Sequence, residues 1–254
     1  MTSYEIIGSR EKAIAIVEID EKDKKNQRKI AEKIMLKHKN VKTVLKKTSE
    51  RMGVERLRKY RLLLGEKNTE VVHIEYGYKI MLDPRKVYFS PRESTERQRI
   101  ASLVKEGETV MVMFAGVGPI AIAIAKKQSK VEKIIAIEIN SKAVKYMKKN
   151  VKINKLEEKI EVIEGDVREK CVEYYGKCDR VIMPLPHKSD LFLDVALKCL
   201  KEDGWIHLYV IKGEDEINEF AKKIAQNIDA KEFNVKRVLP YAPRVNKYCI
   251  DFKL

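Results

Sequence analysis

Apolar residues in the first part of the chain recur with two periods, one typical of strands and one typical of helices. Short apolar runs at 13–19 and 41–45 indicate β-strands, and the stretch 27–38 places its apolar residues on one face of a helix. Two more strand-like runs, 71–75 and 78–82, surround Gly77. We therefore expect residues 1–85 to form a small α+β domain.

From residue 109 onward, strand-like and helix-like stretches alternate. Helices are expected at 142–150, 189–200 and 215–228. The expected strands are seven apolar runs, at 110–114, 133–138, 160–164, 180–183, 205–211, 233–239 and 248–253. Such alternation is typical of a mostly parallel sheet with helices on both faces, and the last two strands, with no helix between them, should form an antiparallel hairpin. The predicted fold class is α/β, with a Rossmann-like seven-stranded domain over 109–254.

The two parts are joined by a stretch with a helix-start pattern. Ser90 can act as N-cap, Pro91 suits the first helical position, and Glu93 completes a capping box. The helix should run to about Val104 and stop at Gly107, so residues 86–108 are predicted to be a connecting helix.

The charge of the chain favours a polyanionic partner. It has 53 Lys and Arg residues against 38 Asp and Glu residues, a formal net charge of +15. Such an excess is typical of proteins that contact phosphates. Six cations in the first domain are candidate phosphate contacts: Lys42, Lys46, Lys47, Arg51, Arg58 and Lys59.

The sequence has no pattern typical of a membrane span, a metal site or a disulfide framework. No apolar run approaches the roughly 20 residues of a membrane span, and the N-terminus has no signal segment. The four cysteines are scattered, with no histidine joining them at the spacing of metal ligands. We expect a cytoplasmic protein that has no metal site and does not bind membranes.

The chemistry centres on the stretch 109–119, an apolar run that breaks at Gly116 and Gly118 before a new helix. A strand, a Gly-x-Gly turn and a helix N-terminus together form a backbone cradle for a nucleotide or nucleoside. Glu138, about twenty residues further on, can accept both ribose hydroxyls, and Asp166 can accept an adenine amino hydrogen. The pattern predicts an adenosine-containing ligand. No third glycine follows Gly118, which favours S-adenosylmethionine over NAD.

Three motifs carry a family resemblance: Phe114-Ala-Gly-Val-Gly-Pro119, Ser90-Pro-Arg-Glu-Ser-Thr-Glu-Arg97, and Met183-Pro-Leu-Pro186 before the expected helix at 192–194. From about residue 10 to the C-terminus, the chain resembles the archaeal and eukaryotic type of tRNA (guanine-37-N1)-methyltransferase. The resemblance implies S-adenosylmethionine as cofactor, the anticodon loop of tRNA around position 37 as partner, and a monomer. Family members carry an additional N-terminal domain on the outer corner of tRNA, and this chain is expected to begin after it.

The resemblance also implies roles for individual residues. Glu96 would be the general base that removes the proton of guanine N1. Arg92, one turn earlier, would hold the guanine ring or orient Glu96. Arg56 would stabilise negative charge that develops on guanine O6. The implied cofactor contacts are Phe114, Ala115, Gly116, Gly118, Glu138, Asp166, Arg97 and Pro184. The implied substrate contacts are Tyr88, Pro184, Leu185 and Pro186.

Two departures from the family pattern leave the substrate open. Val112 stands where most methyltransferases of this fold carry an acid, and Pro184 replaces the usual Asn of an Asn-Leu-Pro segment. A proline makes the pocket more open and more apolar, which resembles the branch that methylates C7 of the tricyclic wyosine precursor 4-demethylwyosine. Tyr88 and Phe89 are equally suited to stacking on a flipped base or to anchoring the domain junction.

Three alternatives remain on the sequence alone. The chain can be an aminocarboxypropyl transferase of wyosine biosynthesis, although the retained Arg92 and Glu96 favour methyl transfer. It can be a methyltransferase for proteins or small molecules, against which the positive charge speaks. It can also be a tRNA-binding module without catalysis.

Overall fold

The N-terminal part is built on a four-stranded sheet in a computed structural model that describes residues 3–50, 53, 57–187 and 189–254. Its strands are β1 (Tyr4–Gly8), β2 (Ala13–Val17), β3 (Val41–Lys47) and β4 (Tyr60–Gly65), hydrogen-bonded in that order. A 3₁₀ turn (Glu21–Asn26) and helix α1 (Gln27–Lys37) form the crossover between the parallel pair β2 and β3. The predicted helix and both predicted strands are confirmed, whereas β1 and β4 were not foreseen.

Strand β2 is buried on both of its faces. Ala13, Ala15 and Val17 pack with α1, whereas Ile14 and Ile16 point to the opposite face and join the main core of the protein. A strand covered on both sides has no polar face, which explains its unbroken apolar run.

A separate β-hairpin follows, formed by β5 (Val71–Glu75) and β6 (Tyr78–Leu82). Its two-residue turn has positive φ at both Tyr76 (44°) and Gly77 (84°), the backbone of a type I′ turn. The chain then passes through a 3₁₀ turn (Pro91–Glu93) into helix α2 (Ser94–Leu103). The connecting helix is therefore shorter than predicted.

The predicted capping box is wrong. The Ser90 side chain makes no cap hydrogen bond. Glu93 instead accepts hydrogen bonds from the Tyr88 hydroxyl (2.8 Å) and the Lys247 ammonium (2.9 Å). The Glu93 carboxylate, which the local pattern assigned to the helix end, therefore binds Tyr88 and Lys247 instead.

The rest of the chain forms a seven-stranded sheet with the order β12-β13-β11-β10-β7-β8-β9. Strands β7 to β11 run parallel to one another, β13 pairs antiparallel with β11, and β12 and β13 form the predicted antiparallel hairpin. The strands are β7 (Thr109–Met113), β8 (Lys133–Glu138), β9 (Ile160–Glu164), β10 (Cys178–Met183), β11 (Leu200–Gly213), β12 (Glu232–Ala242) and β13 (Val245–Lys253). The helices are α3 (Pro119–Lys127), α4 (Ser141–Ile153), α5 (Val167–Lys170), α6 (Leu193–Cys199) and α7 (Ile217–Asn227), with 3₁₀ turns at Val172–Tyr174 and Ser189–Phe192.

Alternate residues of the central strands face two different cores. Val110 and Val112 of β7 join the core under α2, α3, α4 and the β5–β6 hairpin, whereas Met111 and Met113 join the core under α6 and α7. Because β7, β8, β9 and β10 are parallel, their carboxyl ends lie along one edge of the sheet. Among the helices within the described ranges, none is long and apolar enough to cross a membrane.

Candidate cofactor site

The loop after β7 bends through three residues with positive φ: Phe114 (54°), Gly116 (59°) and Gly118 (83°). Gly118 is the residue before α3, and a Cβ there would lie 2.9 Å from Cγ of Met147, so only glycine lets the loop pack against α4. A Cβ on Gly116 would meet no atom within 4 Å. Glycine at 116 is thus required by the backbone conformation, and it leaves the space above the loop open.

Glu138, at the end of β8, holds this loop. Its carboxylate accepts hydrogen bonds from the backbone N–H of Gly116 (2.7 Å) and of Asn140 (2.8 Å). The Asn140 side chain in turn caps α4 by accepting from the N–H groups of Lys142 and Ala143. A carboxylate oxygen can accept more than one hydrogen bond, so the residue that fixes the loop is also of a type that binds hydroxyl groups.

The loop, Glu138 and the carboxyl ends of β9 and β10 surround a cavity of about 800 Å³, a volume that includes space open to solvent. Seven of the predicted site residues line it: Tyr88, Phe114, Gly116, Glu138, Asp166, Pro184 and Leu185. Of the other predicted contacts, Ala115, Gly118 and Pro186 are not part of its wall. Seven lining residues escaped the sequence analysis: Ile137, Ile139, Asn140, Ala143, Gly165, Val167 and Phe192.

The walls of the cavity are mostly apolar, with carboxylates at the strand ends. The rings of Phe114 and Phe192 meet edge to face at 5.0 Å, and the Arg168 guanidinium covers Phe192 at 4.1 Å. Asp166 caps the short helix α5 by accepting from the N–H of Arg168 at 2.8 Å. An aromatic and aliphatic wall with acceptors at one end suits a purine nucleoside.

Tyr88 and Phe89, which the sequence left undecided, have different roles. Tyr88 lines the cavity, and its hydroxyl donates to Glu93. Phe89 is buried in the core, 5.1 Å from both the His73 ring and the Arg97 guanidinium. Only Tyr88 is placed to contact a ligand.

Glu96 lies outside the cavity wall, on the face of α2 that packs on the sheet, and its side chain is 8 % exposed. Its carboxylate accepts two hydrogen bonds from Arg99 (2.8 Å each) and one from the Tyr209 hydroxyl (2.6 Å). The register pairs Met183 of β10 with Leu208 of β11. Tyr209 therefore sits at the strand position beside Pro184, which lines the cavity.

Two predicted arginine roles are corrected. The partner of Glu96 is Arg99, and Arg92 is exposed in the 3₁₀ turn. Arg97 does not line the cavity: its guanidinium donates to both carboxylate oxygens of Glu75 and to the Ser90 carbonyl. Arg97 ties the β5–β6 hairpin to α2, a long-range contact that no local pattern indicates. The third arginine, Arg56, lies outside the described residues.

Three buried side chains, His207, Cys249 and Asp251, bring possible metal-ligand atoms within 4.8 Å of one another. Two guanidinium groups already donate to this group, Arg180 to His207 (2.7 Å) and Arg99 to Asp251 (2.6 Å). Positive charge thus occupies the approaches that a cation would need, and we assign no metal here.

Comparisons with known proteins agree with this geometry. Residues 71–237 match the model of the TRM5/TYW2 methyltransferase domain, and residues 1–69 match the TYW2 N-terminal domain. The chain belongs to the TRM5/TYW2 methyltransferase family. The predicted family, the fold class, the S-adenosylmethionine cofactor and the activity of a methyltransferase for position 37 of tRNA are confirmed.

Three relatives illustrate the match. The tRNA (guanine(37)-N(1))-methyltransferase Trm5b of Pyrococcus abyssi is 40% identical over 262 residues, covering 100% of this chain and 75% of the relative. The tRNA (guanine(37)-N(1))/4-demethylwyosine(37)-methyltransferase Taw22 of Nanoarchaeum equitans is 34% identical over 98% of this chain and 100% of its own. The structure of Methanocaldococcus jannaschii TYW2 in complex with S-adenosylmethionine superposes with a TM-score of 0.73 at 30% identity, covering 99% of this chain and 98% of that one.

The residues of the cavity fit S-adenosylmethionine. Gly116 leaves open space at the helix N-terminus, Glu138 has acceptor capacity for ribose hydroxyls, and Asp166 offers an acceptor beside apolar walls. The absence of an acid at position 112 does not conflict with this fit. The Val112 side chain is buried in the core and does not reach the cavity.

Proposed function

We propose that this chain transfers the methyl group of S-adenosylmethionine to N1 of guanosine-37 in tRNA, with Glu96 as general base. The observation that carries the proposal is a carboxylate held beside Tyr209, next to the strand end where Pro184 enters the cavity wall. The relationship to Trm5b of Pyrococcus abyssi supports guanine N1 as the acceptor atom.

S-adenosylmethionine, when bound, supplies an electrophilic methyl group attached to a sulfonium. The chain's own residues act on the other reactant. In the neutral guanine ring N1 carries a hydrogen, so its electron pair becomes available only when that proton leaves. The proton passes to the Glu96 carboxylate while the N–H electron pair stays on N1 and forms the new bond to carbon. The carbon–sulfur electron pair leaves with sulfur, and the charges balance.

Tyr88 and Leu185 are proposed as the walls that orient the purine. Both line the cavity, Tyr88 from the connection before α2 and Leu185 from the loop after β10. The Tyr88 hydroxyl is fixed by Glu93, which holds the ring in place. A fixed ring positions the acceptor atom better than a mobile one.

A second acceptor, C7 of 4-demethylwyosine at the same tRNA position, is favoured by Pro184. Proline has no side-chain amide to recognise a guanine edge, and its side chain is apolar; Pro184 lines the cavity. The 34% identity to the dual-substrate enzyme Taw22 supports this second activity. The aminocarboxypropyl alternative also has a relative at 34% identity, so the mass of the transferred group must distinguish it.

One experiment separates these activities. The chain is incubated with methyl-labelled S-adenosylmethionine and two tRNAs, one with unmodified guanosine-37 and one with 4-demethylwyosine-37, and the nucleosides are identified by mass spectrometry. Label on guanosine-37 supports the first proposal, and label on the second tRNA supports the dual activity. Transfer of the larger aminocarboxypropyl group, or no transfer to either tRNA, would refute both.

Glu96→Gln tests the base assignment in the same assay. The amide keeps the size and one acceptor oxygen but cannot take a proton, so we expect the methylation rate to fall by about 10²–10⁴-fold, the usual range for a general base. Cofactor affinity, measured by calorimetry, should stay within about twofold because Glu96 is not part of the cavity wall. Glu96→Gln with the parent's rate would remove Glu96 from the mechanism.

The proposal includes a monomer that works in the cytoplasm without a metal ion. Four buried free cysteines suit a reducing compartment, and the polar cluster at His207 is already neutralised by arginines. We also propose the division into residues 1–85, 86–108 and 109–254, supported by the separate sheets. Light scattering of the purified chain tests the monomer, and metal analysis tests the absence of a metal ion.

A further inference from the structure

The carboxylate of Glu96 is held by three donors. Oε1 accepts from the Tyr209 hydroxyl at 2.6 Å and from Nη2 of Arg99 at 2.8 Å, and Oε2 accepts from Nε of Arg99 at 2.8 Å. A carboxylate has about four acceptor positions. Among the described residues, the remaining position is on Oε2, which is therefore the oxygen able to receive a substrate proton.

Arg99 does not serve Glu96 alone. Its Nη1 donates to Oδ2 of Asp251 at 2.6 Å, and its Nη2 lies 3.3 Å from Oδ1 of the same residue. Burial opposes ionisation of Asp251, but hydrogen bonds from His207 and Arg99 outweigh it and hold the pKa of this carboxyl below its usual range. One guanidinium charge is thus shared between two ionised carboxylates.

His207 fixes Asp251 from the other side. The Arg180 guanidinium lies 2.7 Å from Nε2 of His207 and can only donate, so Nε2 must be an acceptor. The imidazole hydrogen is then on Nδ1, from where it donates to Oδ1 of Asp251 at 2.5 Å. Burial lowers the pKa of His207 and keeps the ring neutral, in agreement with this tautomer.

We propose that Tyr209, Arg99 and Asp251 are positioning residues that select Oε2 of Glu96 as the proton acceptor. This inference rests on the proposed role of Glu96 as the base. Removal of the Tyr209 hydroxyl would take one hydrogen-bond donor from the carboxylate. Removal of the Asp251 charge would act in the opposite direction, because Arg99 would then donate to Glu96 alone.

The other groups around Glu96 do not change charge near neutral pH. Burial, with Cys249 and Glu96 beside it, raises the pKa of Tyr209 well above its ordinary value, so Tyr209 remains a donor. Burial likewise raises the pKa of the Cys249 thiol. The Lys247 ammonium lies 4.9 Å from the Tyr209 ring centre and is paired with Glu93 at 2.9 Å.

The test is the pH dependence of single-turnover methylation of a guanosine-37 tRNA, which follows the chemical step. The rate falls on the acid side as the base becomes protonated. Tyr209→Phe removes one donor to the carboxylate, so its acid limb should move to higher pH, by about one unit. Asp251→Asn leaves the Arg99 charge to Glu96 alone, so its acid limb should move to lower pH and its plateau rate should fall by about tenfold or more.

Two further variants complete the test. Tyr174→Phe removes a hydrogen bond of the same type, to Glu161 at 2.9 Å, on the other side of the sheet, and it should leave the profile unchanged. Arg99→Lys keeps the positive charge but loses the bidentate contact with the Glu96 carboxylate, so it should lower the plateau rate at least about tenfold. If Asp251→Asn fails to fold, Tyr209→Phe, which keeps the buried ring, still decides the direction of the shift.

The outcomes separate the two proposals. If Glu96→Gln methylates at the parent's rate, the base assignment fails and the positioning proposal fails with it. If Glu96→Gln is inactive while Tyr209→Phe and Asp251→Asn lower the rate without moving the acid limb, Glu96 remains the base and only the positioning role is refuted. Opposite shifts in the two variants support the proposal.

Discussion

Asn150 of α4 connects three parts of the molecule, and its replacement should therefore weaken both the fold and the cofactor site. Its side chain is fully buried. The amide accepts from the N–H of Met81 (2.7 Å) and donates to the carbonyls of Met81 and Val117 (3.0 Å each). Met81 belongs to the β5–β6 hairpin, and Val117 lies between the two glycines of the cofactor loop.

The cost of Asn150→Leu can be worked out from these contacts. Leucine has a similar size, so little cavity or strain arises, but three buried backbone groups lose their partner. Each unsatisfied group costs about 1–3 kcal/mol. Leucine recovers part of this by burying apolar surface, so we expect the free energy of unfolding to fall by about 3 kcal/mol. For a chain of this length that is a decrease in Tm of about 6–12 °C.

Asn154, one turn later, provides the matched control. It makes the same pair of backbone bonds to Lys79 of the hairpin, but it does not touch the cofactor loop. Both leucine variants should be destabilised in urea unfolding. Only Asn150→Leu should also bind S-adenosylmethionine more weakly, by about tenfold in calorimetry. Equal cofactor affinities in the two variants, or a loss of stability below about 1 kcal/mol for Asn150→Leu, would refute the reasoning.

Two further outcomes are expected from carboxylates. Glu138→Ala should weaken S-adenosylmethionine binding by at least about tenfold in calorimetry, because two loop N–H groups lose their acceptor. The control Glu164→Ala, at the neighbouring strand end and outside the cavity wall, should leave the affinity unchanged. An unchanged Kd for Glu138→Ala would remove Glu138 from the site. Burial opposes ionisation of Glu75, but hydrogen bonds from Arg97, His73 and Tyr78, together with the Arg97 charge, outweigh it and lower the pKa of Glu75 to about 2. This stabilisation is present above the unfolded-state pKa near 4.5 and is lost as pH falls toward 2. The advantage of the parent over Glu75→Gln in urea unfolding should therefore shrink across that window, and a constant difference would contradict the pKa shift.

The strands of the large sheet could be predicted because each is a short apolar run with its own local signal. The runs 133–138 and 160–164 match β8 and β9 from end to end. Strand β4 was missed because it follows a segment dense in arginine, where charge obscured the apolar residues Leu62 to Leu64. Strand β1 was missed because it has only five residues and is only partly buried.

The cofactor site was predictable to the extent that it is made by local backbone. Gly116, Glu138 and Asp166 each stand at a strand end, and parallel strands bring such ends to one edge. Ile139, Val167 and Phe192 were missed, although the first two directly follow or adjoin predicted residues. For Ile139 and Val167 the sequence contains a signal, an apolar residue directly after a predicted contact at a strand end, whereas Phe192 lies in the 3₁₀ turn at Ser189–Phe192 and has no such signal.

The ion pair between Glu96 and Arg99 could not be predicted from the local sequence. In a continuous α-helix Arg92 and Glu96 would share a face, but residues 91–93 form a 3₁₀ turn, and the backbone leaves helical geometry at Glu93 (φ −93°, ψ 8°). Arg92 is thereby turned to solvent, and Arg99, three residues after Glu96, takes its place. Arg99 is itself divided between Glu96 and Asp251, a residue 152 positions away from it in the chain. The position of the Glu96 carboxylate is consequently set by the sheet as much as by the helix that carries Glu96, which is why replacements on β11 and β13 test the chemistry more sharply than replacements beside it.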